Sequence, residues 1–275
     1  VAEPTARTRL AAVIGSPVRH SRSPALANAA FRAAGADWTM VALEVAEGQG
    51  AAAVDAARTL GLGGLMVTMP HKAAVIPALD RLTPGAAALG AVNSISRRGD
   101  ELVGDNTDGA GLVAALAAAG VAVAGRRCAV LGAGGAARSI TWALGAASAA
   151  SVAVLNRTPE RAEGAAALAG EVGRVGAADD VAEAEIVVNA TSLGMGMAPD
   201  DPAALPLDPT LLRPGQVVVD AVYQPLETAL LRAAARAGAR PLDGLGMLVH
   251  QAAITIEAWI GRPPDVGAMI EAARA

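Results

Sequence analysis

Lys72 stands at the end of Met66-Val67-Thr68-Met69-Pro70-His71-Lys72, where Pro70 breaks an apolar run and a helical pattern follows. An ammonium group at the start of a helix opposes the positive end of the helix dipole. Such a lysine is either simply solvated or held with a depressed pKa for proton transfer. Two other segments are unusually polar for their setting. Ser21-Arg22-Ser23-Pro24 sets two hydroxyls at a helix start. Ser23 before Pro24 is a natural N-cap, which leaves Ser21 unexplained, and the pair could hold a small carboxylate with the help of the helix dipole. Asp105-Asn106-Thr107-Asp108-Gly109 carries more Asx and Thr than the capping of one helix requires.

A second chemistry is written in Gly132-Ala133-Gly134-Gly135-Ala136-Ala137, which follows an apolar run and opens a helical one. Gly132 permits a tight turn, Gly134 lets a pyrophosphate approach the backbone, and Gly135 or Ala137 allows close helix packing. The helix N-terminus adds unpaired N–H groups and partial positive charge. About two dozen residues on, at the end of the next strand, stands Asn156-Arg157-Thr158-Pro159-Glu160-Arg161. A chain that binds NAD usually offers a carboxylate there for the ribose hydroxyls. Arg157, with Arg161 one helical turn on, suits instead a 2′-phosphate carrying about −1.5 to −2 charges. The expected cofactor is NADP(H).

The elements that must position these residues alternate. Strands are expected at 10–14, 38–45 and 64–68, helices at 24–34, 51–60 and 72–82, and a hairpin of 91–97 with 101–104. Strands alternating with helices predict a mainly parallel sheet covered on both faces. After a helix at 109–119 the order repeats: strands at 127–131, 151–155, 173–175, 185–189, 216–221 and 240–242, helices at 136–146, 159–169 and 225–237. The stretch 192–214 is rich in Pro, Gly and Asp and reads as a loop over a site. A last apolar helix is expected over 245–260.

At 275 residues and 53% hydrophobic, the chain can bury a large core, and with 2% aromatics that core must be Ala, Val, Leu and Ile. A net charge of −4 without a basic run argues against nucleic acid as a partner. His20, His71 and His250 lie far apart, off any metal-ligand spacing, so no metal is expected. Cys128 sits in an apolar run and reads as a buried strand residue. No signal peptide is read, and the uncharged stretch 139–156 reads as helix, turn and strand rather than a membrane span. A cytoplasmic, soluble protein without a membrane partner is expected, as monomer or homodimer.

In order, Ser21-Arg22-Ser23-Pro24, Val67-Thr68 with Pro70 and Lys72, Ala91-Val92-Asn93, Asp105-Asn106-Thr107-Asp108-Gly109, the Gly132–Ala136 turn, Asn156-Arg157-Thr158, Asn189-Ala190-Thr191-Ser192 and Gly244-Leu245-Gly246-Met247-Leu248 with Gln251 resemble the shikimate dehydrogenase family over nearly the whole chain. The resemblance implies a two-lobe α/β fold. An N-terminal α/β substrate domain (1–108, completed by 245–275) would join a Rossmann-like NADP-binding domain (109–244). It implies reversible NADPH-dependent reduction of 3-dehydroshikimate to shikimate, with Lys72 and Asp108 as the catalytic pair. Ser21 and Ser23 would hold the substrate carboxylate, with Tyr223 bordering it, and Thr68, Asn93 and Gln251 its hydroxyls. Gly132, Ala133, Gly134, Gly135, Ala136, Asn156, Arg157, Thr158, Arg161 and Thr191 would bind the dinucleotide, with Gly244 and Met247 near the nicotinamide.

Two positions depart from the family pattern. Met66 stands where Asn is common, and Ser94 where Thr is common. With a thioether in place of an amide, either a neighbour or water pairs with the substrate hydroxyl, or the chain is a paralogue acting on quinate, an aminated shikimate analogue or a related cyclohexene acid. A non-catalytic NADP(H)- or shikimate-responsive binding module is the rival of another class, but it would not need Lys72 and Asp108 together.

Overall fold

The run from Ala11 to Gly15 is buried without a break, as a strand covered on both faces must be. It forms β1 (Arg9–Gly15), inside a six-stranded sheet. The computed structural model describes residues 3–274 and divides into two units. One holds the residues through Thr107 together with those from Val249 onward, and the other is Asp108–Leu248.

In the first unit β1 is followed by α1 (Ser23–Ala33), β2 (Trp38–Glu44), α2 (Gly50–Thr59), β3 (Gly64–Val67), β4 (Arg81–Leu82), α3 (Pro84–Leu89), β5 (Ser94–Arg98) and β6 (Glu101–Asp105). The strand order is β2-β1-β3-β5-β6-β4. β1 runs parallel to β2 and β3, whereas β5 is antiparallel to both β3 and β6. The sheet is therefore mixed rather than mainly parallel, because β5 and β6 are joined by a tight hairpin at Gly99-Asp100, where Gly99 has φ +62°.

The helix expected over 72–82 does not form. Pro77 has no N–H to continue an α-helical ladder, so the segment makes a turn and one short 3-10 turn, Ile76–Ala78. Arg81-Leu82 then joins the sheet edge beside Val103-Gly104. The unforeseen α3 has its own stop and start signals: Thr83 Oγ1 accepts from Ala86 N–H at 3.3 Å, Pro84 opens the helix, and Gly90 ends it at φ +59°.

The second unit runs α4 (Asp108–Ala118), β7 (Arg127–Leu131), α5 (Gly135–Ala146), β8 (Ser151–Leu155), α6 (Pro159–Ala166), β9 (Gly173–Val175), α7 (Ala178–Glu183), β10 (Ile186–Asn189), β11 (Val217–Asp220), α8 (Ala229–Arg236) and β12 (Arg240–Leu242). All strands are parallel, in the order β12-β11-β10-β7-β8-β9. The chain steps outward from β7 in one direction and from β10 in the other. Such a switch point opens a crevice at the carboxyl ends of those two strands. One core holds Val130, Ile140, Leu144, Val152, Val154 and Val188, and another holds Ala129, Val187, Val218 and Leu230. Alternation along each strand sends successive residues to the two sheet faces.

Two helices of this unit are shorter than expected. α6 gives way to a 3-10 stretch at Ala167–Val172, where Gly170 has φ +64°. α8 starts at Ala229 rather than near 225, because Thr228 caps it by accepting from Leu231 N–H at 3.3 Å. The α7 segment was not anticipated. The 192–214 stretch is a loop carrying two 3-10 turns, Pro202–Ala204 and Pro209–Leu211.

The closing helices are α9 (Gly244–Ile260) and α10 (Val266–Arg274), the latter not anticipated. From Val249 onward they belong to the first unit, where α10 packs on α1. α9 is anchored there by Trp259. Its ring lies where a side chain at Gly64 would stand (2.3 Å from an added Cβ), and its Nε1–H donates to Ile95 O at 3.0 Å. Trp259 also stacks on Trp38 at 6.1 Å with 2° between the planes. A stripe at i, i+4 and i+8 then aims Thr255 and Gln251 toward the same sheet face as Trp259.

Candidate active site

In the first unit that stripe meets Asn93. Asn93 immediately precedes β5 and is fixed through its backbone, which donates to Asp105 O at 3.0 Å and accepts from Val67 N–H at 2.8 Å. Its side chain accepts from Thr107 N–H at 2.8 Å and donates to Thr107 Oγ1 at 3.1 Å and to Gln251 Oε1 at 3.3 Å. Thr255 Oγ1 lies 3.3 Å from Thr107 Oγ1 and donates to Gln251 O at 3.1 Å. Asn93, Thr107 and Thr255 are buried. Buried amides and hydroxyls held this way offer a stiff polar wall, since each partner restricts the next. Thr107 and Thr255 were not singled out from sequence as site residues. The polar Asn106-Thr107 run ahead of a helix was the signal for Thr107; Thr255, inside an apolar helix, had only its i+4 spacing from Gln251.

Thr68 follows β3, with its N–H on Ile14 O at 2.9 Å and its carbonyl accepting from His71 N–H at 3.0 Å. The adjoining turn is held on both sides. His71, fully buried, donates through Nε2–H to Val45 O at 2.8 Å, and Lys72 O accepts from Val92 N–H at 2.7 Å. Lys72 is half-buried and sits in this turn rather than at the start of a helix, so no helix dipole bears on its ammonium group. Asp108 is the first residue of α4, in the second unit. Gly109 donates to Ser139 Oγ at 2.8 Å, and a Cβ there would stand 2.1 Å from Ser139 O, so α4 and α5 touch at that residue.

At the start of α1 the capping duties are reversed from expectation. Ser21 Oγ accepts from Ser23 N–H at 3.2 Å, while Arg22 is the residue at the N-cap and Ser23 is the first helical residue. Both serines are half-buried.

In the second unit Gly132 has φ +108° and donates its N–H to Leu155 O at 2.8 Å. Gly134 and Gly135 have nothing within 4 Å of an added Cβ. Packing within the protein does not require these two glycines; the open space over them is a cradle at the N-terminus of α5, where no side chain caps the helix. Ala137, fully buried, makes the close helix packing that was expected of it or Gly135. Ala133 is partly buried against the core, and Ala136 continues the first turn of α5. Across the switch point Thr191 closes on the turn, its Cγ2 3.1 Å from a Cβ added at Gly132. Asn156 follows β8 and donates to Thr158 O at 3.1 Å. Arg157, Thr158 and Arg161 are exposed, and among the described residues neither arginine is in an ion pair. β8, which these arginines follow, pairs with β7 at Leu131 and Leu155 just ahead of the Gly132 turn, and exposed guanidinium groups after that strand fit a dinucleotide with a 2′-phosphate.

Tyr223 lies half-buried in the loop after β11. A Cβ at Gly244 would stand 2.5 Å from Ala221 O, so that glycine lets α9 start against this loop. Met247 is buried in the core with Leu112 and Leu116. Among the described residues no cluster of His, Cys, Asp and Glu could hold a metal ion, and no helix is long and apolar enough to cross a membrane.

These features define an α/β protein in which a mixed-sheet unit accompanies a Rossmann-like, dinucleotide-binding unit. Family models place it further: that of the shikimate dehydrogenase substrate binding domain matches residues 13–95, and that of the shikimate 5′-dehydrogenase C-terminal domain matches 244–274. A shikimate dehydrogenase (NADP(+)) of Moorella thermoacetica is 45% identical over 96% of this chain and 92% of its own. A solved shikimate dehydrogenase in complex with NADP+ superposes with a TM-score of 0.91 at 35% identity, covering 98% of this chain and 96% of that one. The 5-ketofructose reductase of Gluconobacter sp. strain CHM43 superposes with a TM-score of 0.89 at 34% identity, over 98% and 99% of the two chains. The chain belongs to the shikimate dehydrogenase family.

Proposed function

We propose that this protein catalyses the reversible NADPH-dependent reduction of 3-dehydroshikimate to shikimate. The observation that carries the reading is the open cradle over Gly134 and Gly135, together with the exposed Arg157 and Arg161 that follow the neighbouring strand β8. The relative from Moorella thermoacetica, named for this reaction with NADP(+), supports it. When bound, NADP(H) supplies or accepts the hydride. The first unit takes the substrate: Ser21 and Ser23 face its carboxylate, and Thr68, Asn93 and Gln251 its hydroxyls. Lys72 donates a proton to the carbonyl oxygen as it becomes an alcohol and takes it back in the oxidative direction. Asp108 is assigned as the second catalytic residue and Tyr223 as a further substrate residue, as the family resemblance implies. Help of this kind contributes roughly 10²–10⁴-fold to rate.

The test is reduction of NADP⁺ and NAD⁺ with shikimate and with quinate, by wild type and Lys72→Ala. Expected are a preference for NADP⁺ with shikimate and a loss of about 10²–10⁴ in kcat for the variant. Equal turnover by the variant removes Lys72 from the mechanism, whereas binding of NADPH without turnover of any of these substrates by wild type favours a binding module.

Met66 favours a second reading, a paralogue for quinate, an aminated analogue or a related ring acid. It is buried in β3, two residues before Thr68 and so on the same sheet face. The superposition with a 5-ketofructose reductase shows this fold in a protein named for another ketone. Under this reading quinate or the analogue outpaces shikimate, and Met66→Asn shifts the preference toward shikimate.

A further inference from the structure

Asp220 ends β11 with no exposed surface, and burial pushes its carboxyl above the ordinary value of 3.8. A buried carboxyl is costly unless its oxygens are satisfied. Here neutral donors satisfy them. Oδ1 accepts from Asn189 Nδ2–H at 2.9 Å and from Val222 N–H at 3.0 Å, and Oδ2 accepts from Thr228 Oγ1–H at 2.7 Å. One side chain thus joins the ends of β10 and β11 to the start of α8.

The consequence runs through Asn189. An amide has a donor end and an acceptor end. With Asp220 taking the donor end, Oδ1 of Asn189 must face the other way, where it accepts from Thr191 N–H at 3.0 Å and Thr191 Oγ1–H at 2.7 Å. Thr191 is the residue that closes on Gly132 across the switch point. We propose that Asp220 is a positioning residue for the dinucleotide. By fixing the orientation of the Asn189 amide it holds Thr191 against the Gly132 turn, and through Val222 N–H it sets the path of the chain into Tyr223.

This rests on the reading of Gly132–Ala136 as the cofactor cradle. Asp220 touches neither cofactor nor substrate; it acts through Asn189. The geometry separates charge from shape. In Asp220→Asn the remaining carbonyl oxygen can still accept from Asn189 and Val222. The new amide can donate to Thr228 Oγ1, since a hydroxyl both donates and accepts. In Asp220→Ala, Val222 N–H loses its acceptor, and Asn189 Nδ2 keeps only the longer bond to Leu193 O at 3.4 Å.

The experiment is fluorescence titration of NADPH into the full-length apoprotein of wild type, Asp220→Asn, Asp220→Ala, Asn189→Ala and the double alanine variant, with melting curves and the KM for shikimate at saturating NADPH. Expected are a Kd for NADPH raised about tenfold or more in Asp220→Ala and Asn189→Ala, and a Kd near that of wild type in Asp220→Asn. The double variant should be no worse than about the weaker single one, since both cut one chain of contacts. In Asn189→Ala, which leaves Asp220 on Val222 N–H, the KM for shikimate should hold within about threefold, which a general loss of structure would not allow. An Asp220→Ala protein that binds NADPH as tightly as wild type overturns the proposal, as does an Asp220→Asn protein as impaired as the alanine variant. If Asp220→Ala does not fold, Asn189→Ala decides, and wild-type affinity there overturns it. Failure of wild type itself to bind NADPH would sink the cofactor reading, a separate result.

Discussion

Replacing Asn93 by alanine removes the side chain at the centre of the buried polar wall and leaves its backbone bridge to Val67 and Asp105 in place. The strands therefore stay paired, and the loss is confined to the side chain. Thr107 N–H loses its acceptor at 2.8 Å, and Gln251 Oε1 loses a donor at 3.3 Å. Thr107 Oγ1 keeps Thr255 at 3.3 Å. An unmade hydrogen bond on a buried backbone N–H costs about 1–3 kcal/mol, and the loosened Gln251 and the small void bring the total to about 2–4 kcal/mol. At about 2–4 °C per kcal/mol for a chain of this size, Tm should fall by roughly 4–16 °C. The substrate wall loses its stiffness as well, so the KM for shikimate should rise by about tenfold or more. The assays are a melting curve on the apoprotein and initial rates over a shikimate series at saturating NADP⁺. A Tm within about one degree of wild type together with an unchanged KM would refute the assignment of Asn93 as the hub.

Replacing both Arg157 and Arg161 by glutamine should raise the KM for NADPH by about tenfold or more while leaving that for NADH nearly unchanged, because only the former carries the extra phosphate; equal effects on the two would show that the arginines serve folding instead. Burial, assisted by the Glu185 charge, pushes the Cys128 thiol up to about 12, so iodoacetamide at pH 7.5 should leave the native protein unlabelled and label it once urea unfolds it. Asp220 supplies a pH dependence of definite sign. Its folded pKa lies above 3.8, so the native state holds more protons than the unfolded one from that pH up to the folded value, and its contribution to stability falls as pH rises through that window. Asp220→Asn removes the titration, so its Tm relative to wild type should climb from about pH 4 upward and then level off; a flat or descending difference would contradict the sign.

How much the sequence determined follows from what each feature needs. The dinucleotide unit was legible because its signals are local. The Gly132 turn needs a positive φ, the helix after it needs no cap, and β7, β8, β10 and β11 are apolar runs long enough to name. The order of chemistry-bearing segments was equally plain, and with it the family. What failed were readings where a local preference met a competing one. The helix over 72–82 yielded to Pro77 and to the free edge of β6, the cap of α1 fell to Arg22 and left Ser21 bonding to Ser23, and α8 waited for Thr228. Only the tertiary structure showed that Asn93, Thr107, Gln251 and Thr255 form one hydrogen-bonded wall, and that the buried carboxyl of Asp220 is linked to Thr191 through the Asn189 amide. Residues 93 and 251 are brought together by Trp259 docking on Gly64. A side chain's neighbours across such distances depend on how helices seat on a sheet, and that is set by packing volume rather than by any pattern along the chain.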